Sequence, residues 1–288
     1  MSLEELMSSV GATGYIHVLD IDDDAETGLN ADSLVVTASV FKIGVALELA
    51  RQYSTGKLDP LQRVCVGVGD HVMGPTGLSG VLDEADLSLR DLSYLMMTLS
   101  DNTATDVIVN LVGLERVNAT LRTLGLEETV LEGDCRHLLG SLLADLAFTA
   151  EEAFAPKINQ LDPQRLRACR SLKAEATTRS TPRETTRLLQ MIWRDEAGSA
   201  EACAEVRRLM GLQVWRDRLS SGFGDEVMIS AKTGTLPGIR NEAGVCAFPD
   251  GKRYAVAVFT VADTFEIRRP EIDHAIGRAA RLAIDTLR

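Results

Sequence analysis

Three short polar elements, far apart in this chain, predict a fold that brings distant segments together at one cleft. They are the pair Ser39 and Lys42, the triplet Ser100-Asp101-Asn102 and the triplet Lys232-Thr233-Gly234. A Ser-x-x-Lys pair is expected by chance roughly 0.3 times in a chain of this composition, and each triplet only a few hundredths of a time. Their joint occurrence indicates one site built around an activated serine.

Ser39 begins an apolar run that is typical of a helix buried on most sides, and this run continues to Gln52. At a spacing of three residues, Lys42 lies on the same helix face as Ser39. Burial lowers the pKa of a lysine, and a second cation such as Lys232 lowers it further, so a neutral Lys42 amine could take the Ser39 proton. A solvated surface position for Lys42 is the alternative, which its apolar neighbours disfavour.

The Ser100-Asp101-Asn102 triplet stands between two apolar helical runs, which predicts a turn or a helix N-cap. Capping alone would explain Asp101. Ser100 and Asn102 have a functional role only if the fold places them near Ser39. The sequence therefore predicts polar side chains that project from an apolar block.

The Lys232-Thr233-Gly234 triplet closes an apolar strand, where a charged side chain must face a cleft and Gly234 permits close backbone approach. An edge strand of this kind could bind an extended amide ligand. The N–H groups of Ser39 and Thr235 would then stabilise a developing oxyanion. Thr233 and Arg240 would bind a substrate carboxylate.

Composition excludes several classes of partner. The chain has 288 residues and a formal net charge of −12, which disfavours nucleic acids and anionic membranes and favours a small-molecule substrate. The five cysteines are scattered and odd in number, which predicts buried reduced thiols and neither disulfides nor a zinc site. No metal or other cofactor is expected.

The N-terminal residues contain no apolar run of signal-peptide length, and no segment approaches the roughly 18 apolar residues of a membrane span. As written, the sequence predicts a cytoplasmic monomer. Secretion of the native protein is the alternative, if the residues Met1-Ser2-Leu3 replaced a natural leader sequence.

Hydrophobic periodicity predicts two intertwined parts. Residues 1–38 and 206–288 form an α/β domain whose antiparallel sheet is flanked by the terminal helices, and residues 39–205 form a helical domain inserted into it, with the active site in the cleft between them. Tyr15 to Ile21 is predicted to pair in a hairpin with a strand near Leu34 to Thr37. Helices are predicted over 3–10, 87–99, 104–112, 114–124, 138–146, 163–169, 182–194 and 270–287, and strands over 227–232, 243–248 and 254–261.

With these elements the chain resembles the class A serine β-lactamases and the related penicillin-binding transpeptidases, from about Gly14 to its end. The segments that carry the resemblance are Thr37 to Lys42, Ser100 to Ala104 and Ala231 to Thr235. The resemblance implies a β-lactamase/transpeptidase-like fold without a cofactor. The roles that it implies are nucleophile for Ser39, acylation base or relay for Lys42, proton shuttle for Ser100, amide contact for Asn102, and carboxylate recognition for Lys232, Thr233 and Arg240.

One part of the family pattern is missing. Class A enzymes carry a glutamate, followed four residues later by an asparagine, that activates the deacylating water. Here Asn159 is the only asparagine between Asn118 and Asn241, and Ala155 stands four residues before it. Candidate replacement bases are Glu132, Asp134 and His137. The alternative for each is an ordinary solvated loop residue without a catalytic role.

Three functions follow from these observations. The first is a serine hydrolase that acylates Ser39 with a β-lactam or related cyclic amide and hydrolyses the acyl-enzyme. The second is an acyl-serine amidase, esterase or penicillin-binding enzyme with slow or no β-lactam turnover, because an acyl group without a deacylation base would stay on Ser39. The third, a non-catalytic binding module, is disfavoured because binding alone needs no activated nucleophile.

Overall fold

A computed structural model describes residues 1–148, 163–266 and 268–288. The described strands are β1 (Ala12–Asp20), β2 (Glu26–Leu29), β3 (Val35–Val36), β4 (Arg63–Val66), β5 (Ala85–Ser88), β6 (Arg179–Ser180), β7 (Met228–Leu236), β8 (Ile239–Ala247) and β9 (Arg253–Ala262). The described helices are α1 (Leu3–Ser9), α2 (Lys42–Ser54), α3 (Leu89–Tyr94), α4 (Asn102–Val112), α5 (Leu114–Thr123), α6 (Cys135–Leu146), α7 (Pro163–Ala168), α8 (Pro182–Trp193), α9 (Ala200–Gly211) and α10 (Pro270–Asp285).

The main sheet is antiparallel and has the strand order β2-β1-β9-β8-β7. Successive side chains of each strand point to opposite faces of the sheet, and both faces are apolar, as a sheet covered on both sides requires. The terminal helices α1 and α10 pack on one face through residues such as Leu6 and Ile276. Helices α8 and α9 pack on the other face, beside the helical core around α2. The predicted sheet with flanking terminal helices is thereby confirmed.

Helix α2 forms the centre of the helical part. It is buried along nearly its whole length, as its apolar sequence predicts, and it contacts α4, α5 and α9. Helix α8 begins where the sequence predicts, because Thr181 caps its first turn by accepting a hydrogen bond from the Glu184 N–H and Pro182 occupies the first turn. The division of the chain at residues 38 and 205 stays a prediction.

The hairpin partner predicted for the first strand is wrong. β1 pairs with β2, and the β-branched pair Val35–Val36 instead joins β6 in a separate two-stranded ladder. β2 is a half-exposed edge strand with little apolar content, which hides it from a hydrophobicity pattern. Gly28 fits there because a β-carbon at this position would lie 2.4 Å from the Ile16 carbonyl oxygen.

The helix predicted over 87–99 begins only at Leu89. Residues 85–88 form β5, which pairs with β4, and Ser88 caps α3 by accepting a hydrogen bond from the Asp91 N–H. Helix α9 was not predicted.

Four cysteines are buried reduced thiols as expected, but Cys65 is exposed on β4. Among the described residues, no helix combines the length and apolar character needed to cross a membrane.

Candidate active site

The predicted nucleophile lies in a tight turn that leads into α2. Ser39 belongs to the 3-10 turn Ala38–Phe41, and Ala38 before it has a φ of +46°, in the left-handed region. The Asn241 side chain of β8 donates hydrogen bonds to the carbonyl oxygens of Val36 (2.9 Å) and Thr37 (3.3 Å). The sheet therefore holds the turn in place and leaves Ser39 half-exposed at the cleft.

Gly234 packs β7 directly against this turn. A β-carbon at Gly234 would lie 2.6 Å from the Thr37 carbonyl oxygen and 3.1 Å from the Ser39 nitrogen. No side chain fits in this space without moving one of the two segments. The predicted close approach at Gly234 is confirmed, and its partner is the backbone of the nucleophile turn.

Replacing Gly234 by Ala should therefore both destabilise the protein and slow acylation of Ser39. We expect a loss of about 1–3 kcal/mol in the free energy of unfolding, because the added methyl forces the strand away from the turn. Thermal unfolding and the acylation rate constant measure the two effects. Gly80→Ala is the matched control, since a β-carbon there has no atom within 4 Å. Equal effects of the two substitutions would contradict the prediction.

Lys42 lies fully buried beneath the cleft. Its Nζ lies 2.8 Å from the Ser100 carbonyl oxygen, 3.3 Å from the Ser100 hydroxyl and 2.9 Å from the Asn102 Oδ1. Burial lowers the pKa of Lys42, and the nearby Cys135 and Asp101 raise it by a smaller amount. These contacts join Lys42, which belongs to the first sequence element, to the second element, and they place its amine next to the Ser100 hydroxyl, with which it can exchange a proton.

Lys232 brings the third element to the same place. It is fully buried on β7, and its Nζ donates to the Thr233 carbonyl oxygen at 2.9 Å. Burial and then the charge of Lys42 hold the pKa of Lys232 well below its usual range. The structure thus shows Lys42 acting on the pKa of Lys232, whereas the predicted lowering of the Lys42 pKa by Lys232 stays a prediction.

The middle triplet combines structural and cleft-lining roles. Ser100 adopts the left-handed conformation (φ +61°) between the π-helical turn Leu95–Leu99 and α4. Asp101 caps α4 by accepting from the Ala104 N–H, which confirms the predicted capping. Asp101 also accepts from the Leu78 N–H at 2.6 Å. Ser100 and Asn102 consequently turn toward Ser39.

These elements meet at a cleft of about 340 Å³, a size suited to a drug-like molecule. Six predicted site residues line it directly: Ser39, Ser100, Asn102, Thr233, Thr235 and Arg240. Pro75 and Thr76, just before the 3-10 turn Gly77–Gly80, also line it. Trp215 supplies an aromatic wall, which the sequence analysis did not identify.

Arg218 is a cleft residue that the sequence analysis missed. It is buried, and its guanidinium donates to the carbonyl oxygens of Gly234 (2.9 Å) and Asn241 (2.6 Å) and to the Thr235 hydroxyl (2.7 Å). It also forms an ion pair of 2.8 Å with Asp273. No motif surrounds Arg218 in the sequence, so only the fold shows that its charge reaches the end of β7.

Arg240 lies on the same side of the cleft as Arg218. It forms hydrogen bonds of 3.0 and 2.9 Å with the two carboxylate oxygens of Asp273, near the start of α10. Two arginines and the hydroxyls of Thr233 and Thr235 therefore meet at one end of the cleft. The carboxylates of Asp217 and Asp273 line the same cleft, and Asp273 pairs with both arginines.

A buried carboxylate supports β7 from behind. Glu242 accepts hydrogen bonds from Gln213 Nε2 (2.7 Å) and from the Leu219 N–H (2.5 Å), and burial raises its pKa. The Gln213 Oε1 in turn accepts from the Thr233 N–H at 2.6 Å. The pair of Glu242 and Gln213 therefore fixes the strand that carries Lys232.

The three candidate deacylation bases do not line the cleft. Glu132 is exposed and paired with Arg179 at 2.9 Å, and Asp134 caps α6 by accepting from the His137 N–H at 2.8 Å. His137 is exposed on the first turn of α6. Asn159 and Ala155 lie outside the described residues. Three α6 residues, Cys135, Leu138 and Leu139, line a small recess together with Ser39. The sequence analysis counted Cys135 only among the buried reduced thiols.

Known proteins resemble this chain over nearly its whole length. The model of the Beta-lactamase enzyme family matches residues 2–287. Beta-lactamase regulatory protein BlaB of Streptomyces cacaoi is 29% identical, with 99% of this chain and 96% of that protein covered.

Solved structures show the same fold at lower identity. A beta-lactamase from Sphaerobacter thermophilus DSM 20745 superposes with a TM-score of 0.78 at 24% identity, covering 98% of this chain and 94% of that one. A PBP-A variant in its acyl-enzyme complex with penicillin G superposes with a TM-score of 0.77 at 20% identity, covering 99% and 95%.

Proposed function

Because this chain belongs to the beta-lactamase enzyme family, we propose that it is a serine hydrolase of the class A type, which opens β-lactams or related cyclic amides through an acyl-Ser39 intermediate. The observation that carries the proposal is the convergence of Lys42, Ser100, Asn102 and Lys232 around Ser39.

Acylation begins with the substrate carboxylate at the Arg240 end of the cleft, which places the lactam carbonyl over Ser39. The Ser39 oxygen attacks this carbonyl carbon, and its proton passes to Lys42 directly or through Ser100, 3.3 Å from the Lys42 Nζ. The N–H groups of Ser39 and Thr235 stabilise the oxyanion.

The ring then opens. The carbon–nitrogen bond breaks, the nitrogen takes a proton through the Ser100 hydroxyl, and the carbonyl stays on Ser39 as an ester. Asn102 lies in position to contact the amide of the acyl side chain. Water then attacks the ester carbon, the bond to the Ser39 oxygen breaks, one proton of the water passes to this oxygen, and the product leaves as a carboxylic acid.

Penicillin G and a chromogenic cephalosporin test this proposal when intact-protein mass and colour are followed in parallel. We expect one covalent adduct or release of colour with the wild-type protein and neither with Ser39→Ala. No adduct and no colour with the wild type would overturn the proposal and favour an amidase or esterase acting on another substrate.

Carboxylate recognition predicts a substrate-dependent effect of Arg240→Met. We expect acylation by penicillin G to slow roughly 10- to 100-fold, the value of a lost charge-assisted hydrogen bond, while acylation by its methyl ester slows much less. Second-order acylation rate constants give the comparison. Arg63→Met, which breaks a surface ion pair with Asp86, is the control. An equal loss for both substrates would mean that Arg240 acts only by holding Asp273.

The assembly and location predicted from the sequence belong to this proposal. We expect a monomeric enzyme located in the cytoplasm. Size-exclusion chromatography tests the monomer, and cell fractionation tests the cytoplasmic location.

A further inference from the structure

The loop between α9 and the 3-10 turn Leu219–Gly222 supplies two cleft residues, Trp215 and Asp217, that the proposed acylation does not use. Trp215 is 40% exposed, and Asp217 is also exposed. Among the described residues, none forms a hydrogen bond or an ion pair with the Asp217 carboxylate. An accessible aromatic ring and an unpaired carboxylate thus lie two residues apart on the cleft wall.

The backbone of this loop is fixed on both sides of Trp215. The Gln213 Nε2 donates to the Trp215 carbonyl oxygen at 3.2 Å, and Arg216 donates to the Ile229 carbonyl oxygen of β7 at 2.8 Å. Arg218 holds the end of the loop through its hydrogen bonds to β7 and β8. The two cleft side chains are therefore presented from a held backbone, so a ligand that binds them need not order the loop first.

The charges that line the described part of the cleft balance before a substrate binds. They are the guanidinium groups of Arg218 and Arg240 and the carboxylates of Asp217 and Asp273. Asp273 pairs with both arginines, at 2.8 and 2.9 Å. A substrate carboxylate at the Arg240 end adds one negative charge and leaves Asp217 uncompensated. A positive group on the same substrate would restore the balance.

We propose that Trp215 and Asp217 form a subsite for a cation and favour lactams whose ring carries a positive group next to its carboxylate. This inference rests on the proposed function. The face of a tryptophan ring attracts a cation within about 6 Å, and a carboxylate at the same place adds an ion pair. In a cephalosporin, the substituent on carbon 3 is attached beside the carbon that bears the carboxylate. A cation there would lie at the same end of the cleft as Arg240 and Arg218, next to Asp217.

Two cephalosporins with the same acyl side chain test the inference. Cephaloridine carries a pyridinium cation in its carbon-3 substituent, and cephalothin carries a neutral acetoxymethyl group there. The second-order acylation rate constant is measured for each drug, and the ratio of cephaloridine to cephalothin cancels effects on the shared chemistry. We expect this ratio to fall about 3- to 10-fold in Asp217→Asn, which loses an ion pair. We expect a fall of about 2- to 5-fold in Trp215→Leu, which loses a cation–π contact.

Asp225→Asn is the matched control, because Asp225 is exposed, its carboxylate bonds to no other described residue, and it does not line the cleft. Its ratio should equal that of the wild type. Asp217→Lys should lower the ratio further than Asp217→Asn, since the added charge repels the pyridinium.

An unchanged ratio in both Asp217→Asn and Trp215→Leu, with both drugs still opened, would overturn the inference and leave the proposed function intact. An equal fall in Asp225→Asn and Asp217→Asn would also overturn it, because the effect would then follow net charge and not the subsite. A wild-type protein that reacts with neither drug would overturn the proposed function, and the inference with it.

Discussion

Replacing Ser39 by Ala should abolish covalent modification by penicillin G and lower the rate of any lactam opening by ~10⁴-fold or more, as expected when a nucleophile is removed. The loss should occur without unfolding, because no hydrogen bond of the described residues involves the Ser39 side chain. The turn is held by Asn241 and by the packing of Gly234, both of which the substitution leaves unchanged. Intact-protein mass and the thermal unfolding midpoint check the two statements.

Ser54→Ala is a suitable control for Ser39→Ala. Ser54 ends α2, is exposed and bonds only to the Arg51 carbonyl oxygen. Its variant should acylate at the wild-type rate. An adduct on the Ser39→Ala protein would contradict the assignment, and peptide mapping would then show whether Ser100 or another group carries it.

The residues of the site that sequence could predict are those whose neighbours restrict their role. Lys42 stands in an apolar helix and Lys232 in an apolar strand, and a charged side chain there must have partners within the protein. Asp101 precedes a helical run, which predicts its cap. In each case a few adjacent residues specify the local structure, and the order of the three elements specifies the cleft.

Arg218 and Cys135 could not be predicted in the same way. Arg218 belongs to a segment without periodicity, and its role depends on carbonyl oxygens of β7 and β8 that are distant in the chain. Cys135 begins an amphipathic helix, and its sequence is that of an ordinary core position. Only the packing of α6 against α4 brings its thiol to Lys42.

The misassigned hairpin shows the same limit for the fold. The pair Val35–Val36 has the composition of a strand, whereas β2 contains a glycine and a glutamate. Strand pairing depends on chain geometry as well as on composition. The tight turn after β1 selects the nearer segment as its partner, and Val35–Val36 is left to hold the approach to Ser39 against β6. The error therefore lies beside the site, where the chain leaves the sheet.

Replacing Lys42 by Met should slow acylation by ~10²–10⁴-fold and remove its main dependence on pH. Burial lowers the pKa of Lys42, so the neutral amine that accepts the Ser39 proton forms at a lower pH than for a free lysine. The wild-type acylation rate should therefore rise as pH increases through this lowered pKa and level off above it. Methionine fills a similar volume but cannot accept the proton. Acylation rate constants measured from neutral to alkaline pH test both expectations.

Lys57→Met gives the matched control, because Lys57 lies just beyond α2 and is exposed. Its rate and pH profile should equal those of the wild type. A rise with pH that persists in Lys42→Met would assign the titration to Lys232, whose pKa burial and Lys42 hold well below the usual range. Lys232 would then be the base. A flat, slow profile in Lys42→Met together with an unchanged profile in Lys57→Met would assign the proton transfer to Lys42, because only the amine beside Ser100 would have been removed.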